Sequence, residues 1–160
     1  IAATLDAVAP GRFTLGIGAG GDAAEHDALG MPYGEVGERI AALSEQVAVA
    51  VAAGIDRSRI VVDPGLGFAK NIEENWELVA RLDELKNLGL PILVGASRKR
   101  FLAAALDEEN PAGVTNGRRD VATAVLTALL LQRGLWGVRV HNVELTADTI
   151  AIVKKLKESL

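Results

Sequence analysis

The chain has 160 residues, with 17 lysines and arginines against 21 aspartates and glutamates, and a net charge of −4. That balance argues against a nucleic-acid binder, and the lack of cysteine removes disulfides and thiolate metal sites while permitting a reducing, cytoplasmic setting. Hydrophobic residues make up 49% and aromatics 4%, an aliphatic globular composition with no apolar run near the roughly 20 residues of a membrane span.

The chain opens on Ile1, which reads as a processed, trimmed or fragmentary start. Residues 1–8 (IAATLDAV) look like the closing turns of a helix, stopped by Ala9-Pro10-Gly11. A strand is expected over about 13–18, running into Gly16, Gly18, Gly20 and Gly21. Such glycines let backbone approach a ligand such as phosphate closely. Without a helix start directly behind them they are no dinucleotide fingerprint, and a tight turn at a rim is the plainer reading. Residues 22–34 read as a polar loop in which His26 is a solvated surface residue. A long Ala/Val-rich helix follows over 35–53, closed by Gly54.

The β-branched run Ile60-Val61-Val62 predicts a buried strand over about 59–63, stopped by Asp63-Pro64-Gly65-Leu66-Gly67. Asn71 caps a helix over 72–88, with Glu73 and Glu74 suiting its dipole. Its packing stripe is Trp76, Leu78, Val79, Leu82 and Leu85. Pro91 opens a strand over about 91–95 that runs into Ala96-Ser97-Arg98-Lys99-Arg100. Cations at the start of the next helix, 98–106, oppose its dipole and point to an anionic ligand. A polar loop over 107–116, an almost wholly apolar helix over 120–132, a strand over about 138–142 and a helix over 145–160 complete the chain. Trp76 and Trp136 read as core fillers.

Strict alternation of strand and helix with short connections demands parallel strands and right-handed crossovers. The expected fold is α/β, a parallel (βα)4 half TIM barrel, with an open flavodoxin-like sandwich as the alternative. Three strand ends then carry Asp63, Lys99 and the pair Arg139/His141 to one rim, the end where ligands bind in such folds. The lumen face is expected to bear Leu15, Ile17, Val62 and Leu93 or their alternates.

From about residue 52 onward the segments AAGIDRSRIVVDPGLGFAKN, LPILVGASRKRFL, GRRDVATAV and WGVRVHNV resemble dihydropteroate synthase, in order and at matching spacing. That family is a TIM barrel that joins 6-hydroxymethyl-7,8-dihydropterin pyrophosphate to p-aminobenzoate and releases pyrophosphate. The resemblance implies that Asp63 hydrogen-bonds the pterin ring and that Lys99 lies between the pterin and p-aminobenzoate sites. It implies that Phe68 contacts p-aminobenzoate, that Arg100 sits at its carboxylate end, and that Arg139 and His141 hold the pyrophosphate. Asn142 departs from the aspartate usual after that histidine. The family's Asn-x-Thr-Pro-Asp-Ser segment, its source of a magnesium ligand, and its Gly-Gly-Glu-Ser-Thr-Arg-Pro loop are not found, so no cofactor or metal is expected.

The first third, TLDAVAPGRFTLGIGAGGDAAEHDALGMPYGEVGERI, instead resembles luciferase-like monooxygenases, including deazaflavin-dependent ones. The expectation is one α/β domain over 1–160, with a luciferase-like unit over 1–45 and synthase-like units over 46–160. The seam falls inside the long helix, as in a recombined or designed chimera. The reading taken is a half-barrel hybrid scaffold that keeps part of a pterin/pyrophosphate site and is catalytically incomplete. The alternative is a dihydropteroate synthase-type transferase, and a deazaflavin oxidoreductase is the third reading. Expected partners are a pterin, p-aminobenzoate, phosphate or sulfate, and a second copy of the chain, with two four-stranded halves closing one eight-stranded barrel.

Overall fold

The computed structural model describes residues 1–18, 23–68 and 70–160. Its strands are short, and each pairs in parallel with the next in sequence order. In β1 (Leu15–Gly18) and β2 (Ile60–Asp63), Leu15 lies opposite Ile60 and Gly18 opposite Asp63. A parallel bridge from Val62 to Ile92 links β2 to β3 (Leu93–Val94), which pairs with β4 (Gly137–Val138). The order never reverses. A flavodoxin-like sheet must reverse beside its first strand, so that alternative is not the arrangement found.

One core gathers the strands and their crossover helices. Ile60, Val62, Ile92 and Val94 pack with Leu43 and Val47 of α3 (Val36–Ala52), Leu78 of α4 (Ile72–Ala80), Phe101 of α6 (Arg100–Leu106), and Leu126 and Leu130 of α7 (Asn116–Gln132). Leu15 and Ile17 lie partly buried against the same cluster. Side chains alternate along a strand, so Val61, Asp63 and Leu93 belong to the opposite face. Of the residues expected on the lumen face, Leu15, Ile17 and Val62 instead pack toward the helices, and Leu93 lies on the other face. Trp76 fills the core edge-to-face on Phe101, with centroids 5.1 Å apart. Trp136 is not a core filler. It stands 61% exposed just before β4, where its backbone N–H donates to Ile92 O at 3.2 Å.

Element ends follow local chemistry. The expected polar loop contains α2 (Ala23–Ala28). His26 within it is half-buried rather than solvated, edge-on to Tyr33 at 5.2 Å. A capping box between Glu35 and Glu38 opens α3, and another between Asn71 and Glu74 opens α4. The helix expected over 72–88 breaks at Arg81 into α4 and α5 (Leu82–Lys86). Arg133 stabilises the break by donating to the carbonyls of Val79 and Ala80, each at 2.9 Å. Thr115 caps α7 through Arg118 N, which starts that helix before Asp120. Asn142 caps α8 (Val143–Lys157) by accepting from Leu145 N at 3.1 Å. Among the described residues no helix is long and apolar enough to cross a membrane.

Candidate functional site

Asp63 ends β2, and its Oδ1 accepts from Gly65 N at 2.8 Å, closing the turn that stops the strand. The loop behind it is held from inside. Asn75 of α4, 2% exposed, accepts from Gly67 N at 2.6 Å and donates to the carbonyl of Asn71 at 2.6 Å. Lys70 Nζ donates to the carbonyls of Gly65 and Phe68, at 2.8 and 3.3 Å. Burial draws the Lys70 amine down to about 8, the charges of Arg39 and Lys99 push the same way, and Glu74 and Asp63 oppose.

The end of β3 reverses sharply at Arg98, which has φ +59. Its guanidinium grips the buried carboxylate of Asp120 with both arms, Nε to Oδ1 at 2.7 Å and Nη2 to Oδ2 at 2.9 Å. Arg98 lies before α6 and its anionic partner is internal, so of the three cations expected to face an anionic ligand there, Arg98 is already paired. Arg98 first, then Asn142 and His141, hold Asp120 below the usual carboxylate range against the opposing effect of burial. The reversal sends Lys99 back over the β2 loop. Lys99 Nζ donates to the Leu66 carbonyl and lies 3.8 Å from the centre of the Phe68 ring. Burial lowers the Lys99 pKa, Arg139 adds to the effect and Asp63 opposes it. Gly67 sits beneath, where any Cβ would run into the Lys99 stem.

Past β4, Arg139 N donates to Val94 O at 3.0 Å, and the guanidinium covers Gly95, where a Cβ would come within 3.0 Å of Nη2. His141 rests on Ser97. Its backbone N–H donates to Ser97 Oγ at 3.1 Å, and its Nδ1 lies 2.9 Å from the same oxygen. Asn142 donates to Asp120 Oδ2 at 3.3 Å.

The structure thus brings Asp63, Phe68, Lys99 and Arg139 together at one rim and seats His141 on Ser97, two residues before Lys99. Arg100 is set apart, exposed beside a cleft of about 290 Å³ lined also by Lys70, Glu73 and Phe101. Gly18 lies against the backbone of Asp63, while Gly20 and Gly21 fall outside the described residues. Among the described residues no three His, Asp or Glu side chains are grouped as a metal set. Sequence reasoning missed Ser97, Asp120, Asn75 and Lys70 as parts of this site. The one signal for Asp120 was an acid at the start of the almost wholly apolar stretch over 120–132.

The family described as "Pterin binding enzyme" matches residues 20–141. The chain belongs to that family. Its similarity to the Mycobacterium leprae dihydropteroate synthase is 50% identity over 104 residues, covering 65% of this chain and 37% of that protein. To the Streptococcus pyogenes serotype M3 synthase it is 41% over 114 residues, covering 71% and 41%. The chain therefore spans about two-fifths of the length of the curated relatives it matches. Among solved structures, the Xanthomonas albilineans dihydropteroate synthase with 4-aminobenzoic acid superposes with a TM-score of 0.76 at 33% identity, over 96% of this chain and 52% of that one. The Anaplasma phagocytophilum synthase with bound 6-hydroxymethylpterin-monophosphate gives 0.70 at 34%, over 89% and 52%. The fold is accordingly α/β with parallel strands, matching a fragment of the synthase TIM barrel.

Proposed function

We propose that this pterin-binding family member supplies the later strand ends of a dihydropteroate synthase-type active site, which joins a pterin pyrophosphate to p-aminobenzoate. The carrying observation is the meeting of Asp63, Phe68, Lys99 and Arg139 at one rim. Asp63 is suited to accept the N–H edge of an aminopyrimidinone ring. Lys99 spans from that acid toward the Phe68 face, the place for the aromatic amine. Arg100, one residue on, is assigned to the carboxylate end of p-aminobenzoate. The amine nitrogen bonds the pterin methylene carbon, the C–O bond breaks, and its electron pair leaves on pyrophosphate while the amine proton passes to water. Arg139 and His141 stabilise the charge that gathers on the departing oxygens.

The similar proteins are synthases, which supports a transferase over a half-barrel scaffold without catalysis. Ligands of the X. albilineans and A. phagocytophilum structures support the two substrate classes. A cytoplasmic setting goes with this reading, as does a single domain over 1–160. The luciferase-like resemblance of the first unit is kept as a proposal for a hybrid origin, resting on the sequence of that unit. A second copy is proposed to pair with the outer edges of β1 and β4 and close the barrel.

Pyrophosphate release in the presence of both substrates tests the function. Turnover above background that is lost in Lys99→Ala is expected. Absence of both turnover and pterin pyrophosphate binding in the unaltered chain would overturn it.

A further inference from the structure

The two histidines of the chain face hydrogen-bond partners of different kinds. His26 Nδ1 lies 3.1 Å from the carbonyl oxygen of Pro32. A carbonyl only accepts, so that nitrogen carries the ring proton. His141 Nδ1 faces Ser97 Oγ at 2.9 Å, and a hydroxyl can both donate and accept.

The surroundings of Ser97 decide which. The residue is 6% exposed, and its oxygen already accepts the backbone N–H of His141 at 3.1 Å. Among the described residues the Ser97 hydroxyl has no other hydrogen-bond partner than His141. A proton on Nδ1 would leave the serine O–H buried with nothing to donate to, an arrangement folded proteins avoid. With Oγ–H directed at Nδ1 every group is satisfied, and the imidazole proton stands on Nε2.

We propose that Ser97 is a positioning residue that holds His141 as the Nε2–H tautomer and turns that donor outward beside Arg139. His141 follows Arg139 by two residues in the turn between β4 and α8, and both side chains are exposed there. An Nε2–H donor and a guanidinium are suited to adjacent oxygens of a diphosphate. The recognition half of this inference rests on the proposed transferase reading; the tautomer half does not.

Long-range proton–nitrogen correlation spectra of the full chain, ¹⁵N-labelled at histidine and recorded at alkaline pH, test it directly. The two rings should show opposite patterns, Nδ1–H for His26 and Nε2–H for His141, with H26Q assigning the signals. In S97A the His141 pattern should move toward the mixture of a free imidazole, and S97T should restore it. Inorganic pyrophosphate should bind S97A about tenfold more weakly than the unaltered chain, and S97T about equally. An Nδ1–H pattern for His141 in the unaltered chain, or an unchanged pattern in S97A, overturns the proposal. Unchanged pyrophosphate affinity in an S97A whose pattern has shifted overturns the recognition role. If pyrophosphate fails to bind the unaltered chain while the expected patterns appear, the functional reading falls and the tautomer assignment stands.

Discussion

Lys99 gathers most of the site's interactions: it donates to Leu66, stacks on Phe68, and feels both Asp63 and Arg139. Gly67 makes that placement sterically possible. Its φ of +72 and the missing Cβ both matter, since any side chain there meets the lysine stem. Gly67→Ala should therefore cost about 1–2 kcal/mol from backbone strain alone and displace Lys99 from Phe68. Thermal unfolding checks the first effect and pterin binding the second.

Lys70 yields a pH dependence. Its folded value of about 8 lies below the ordinary 10.5, so between those limits the unfolded chain holds a proton that the folded chain has lost. Stability from this group then rises as pH climbs through that window, and burying the charged amine is a cost below it. Urea unfolding at both ends of the window should show the unaltered chain gaining on Lys70→Met as pH rises. A constant difference between them would refute the assignment.

At the level of elements, the loop between β2 and α4 is held by a helix side chain as well as by its own backbone. Asn75, buried in α4, satisfies Gly67 N and bonds the carbonyls of Lys70 and Asn71. Asn75→Ala should destabilise the fold by about 1–3 kcal/mol by leaving buried polar groups unpaired. Asn71→Ala should cost about 1 kcal/mol through loss of the cap. Chemical denaturation of the two variants ranks them, and a larger effect for Asn71 would contradict the pinning role of Asn75. Much of this level was legible in the sequence. The cap at Asn71 and the strand stop at Asp63 are local signals, and the structure places both there. The break at Arg81 was not legible, because the arginine that takes up the freed carbonyls arrives from the end of α7.

For the whole molecule, β1 and β4 are the sheet's outer strands among the described residues, each with one paired neighbour. Strand edges of that kind invite a second copy. Light scattering should give twice the 16.8 kDa chain mass at micromolar concentration. A particle of single-chain mass that stays folded on dilution would remove support for the two-chain barrel.

The sequence by itself determined the parallel α/β alternation, since short links between strand and helix periods leave no room for antiparallel neighbours. It also determined which strand ends are rich in charge, and so named Asp63, Lys99, Arg139 and His141. Tertiary structure decided how those residues are held. Arg98 reads locally as one cation among several, and only the packing of α7 behind β3 shows that Asp120 neutralises it. Ser97 reads as a turn residue, and only the parallel seating of β4 on β3 sets it against His141. Trp136 reads as core by its size, yet the short edge strand leaves it in water. Periodicity and capping act over a turn or a strand, whereas a contact between residues tens of positions apart exists only once the sheet and its crossovers have formed.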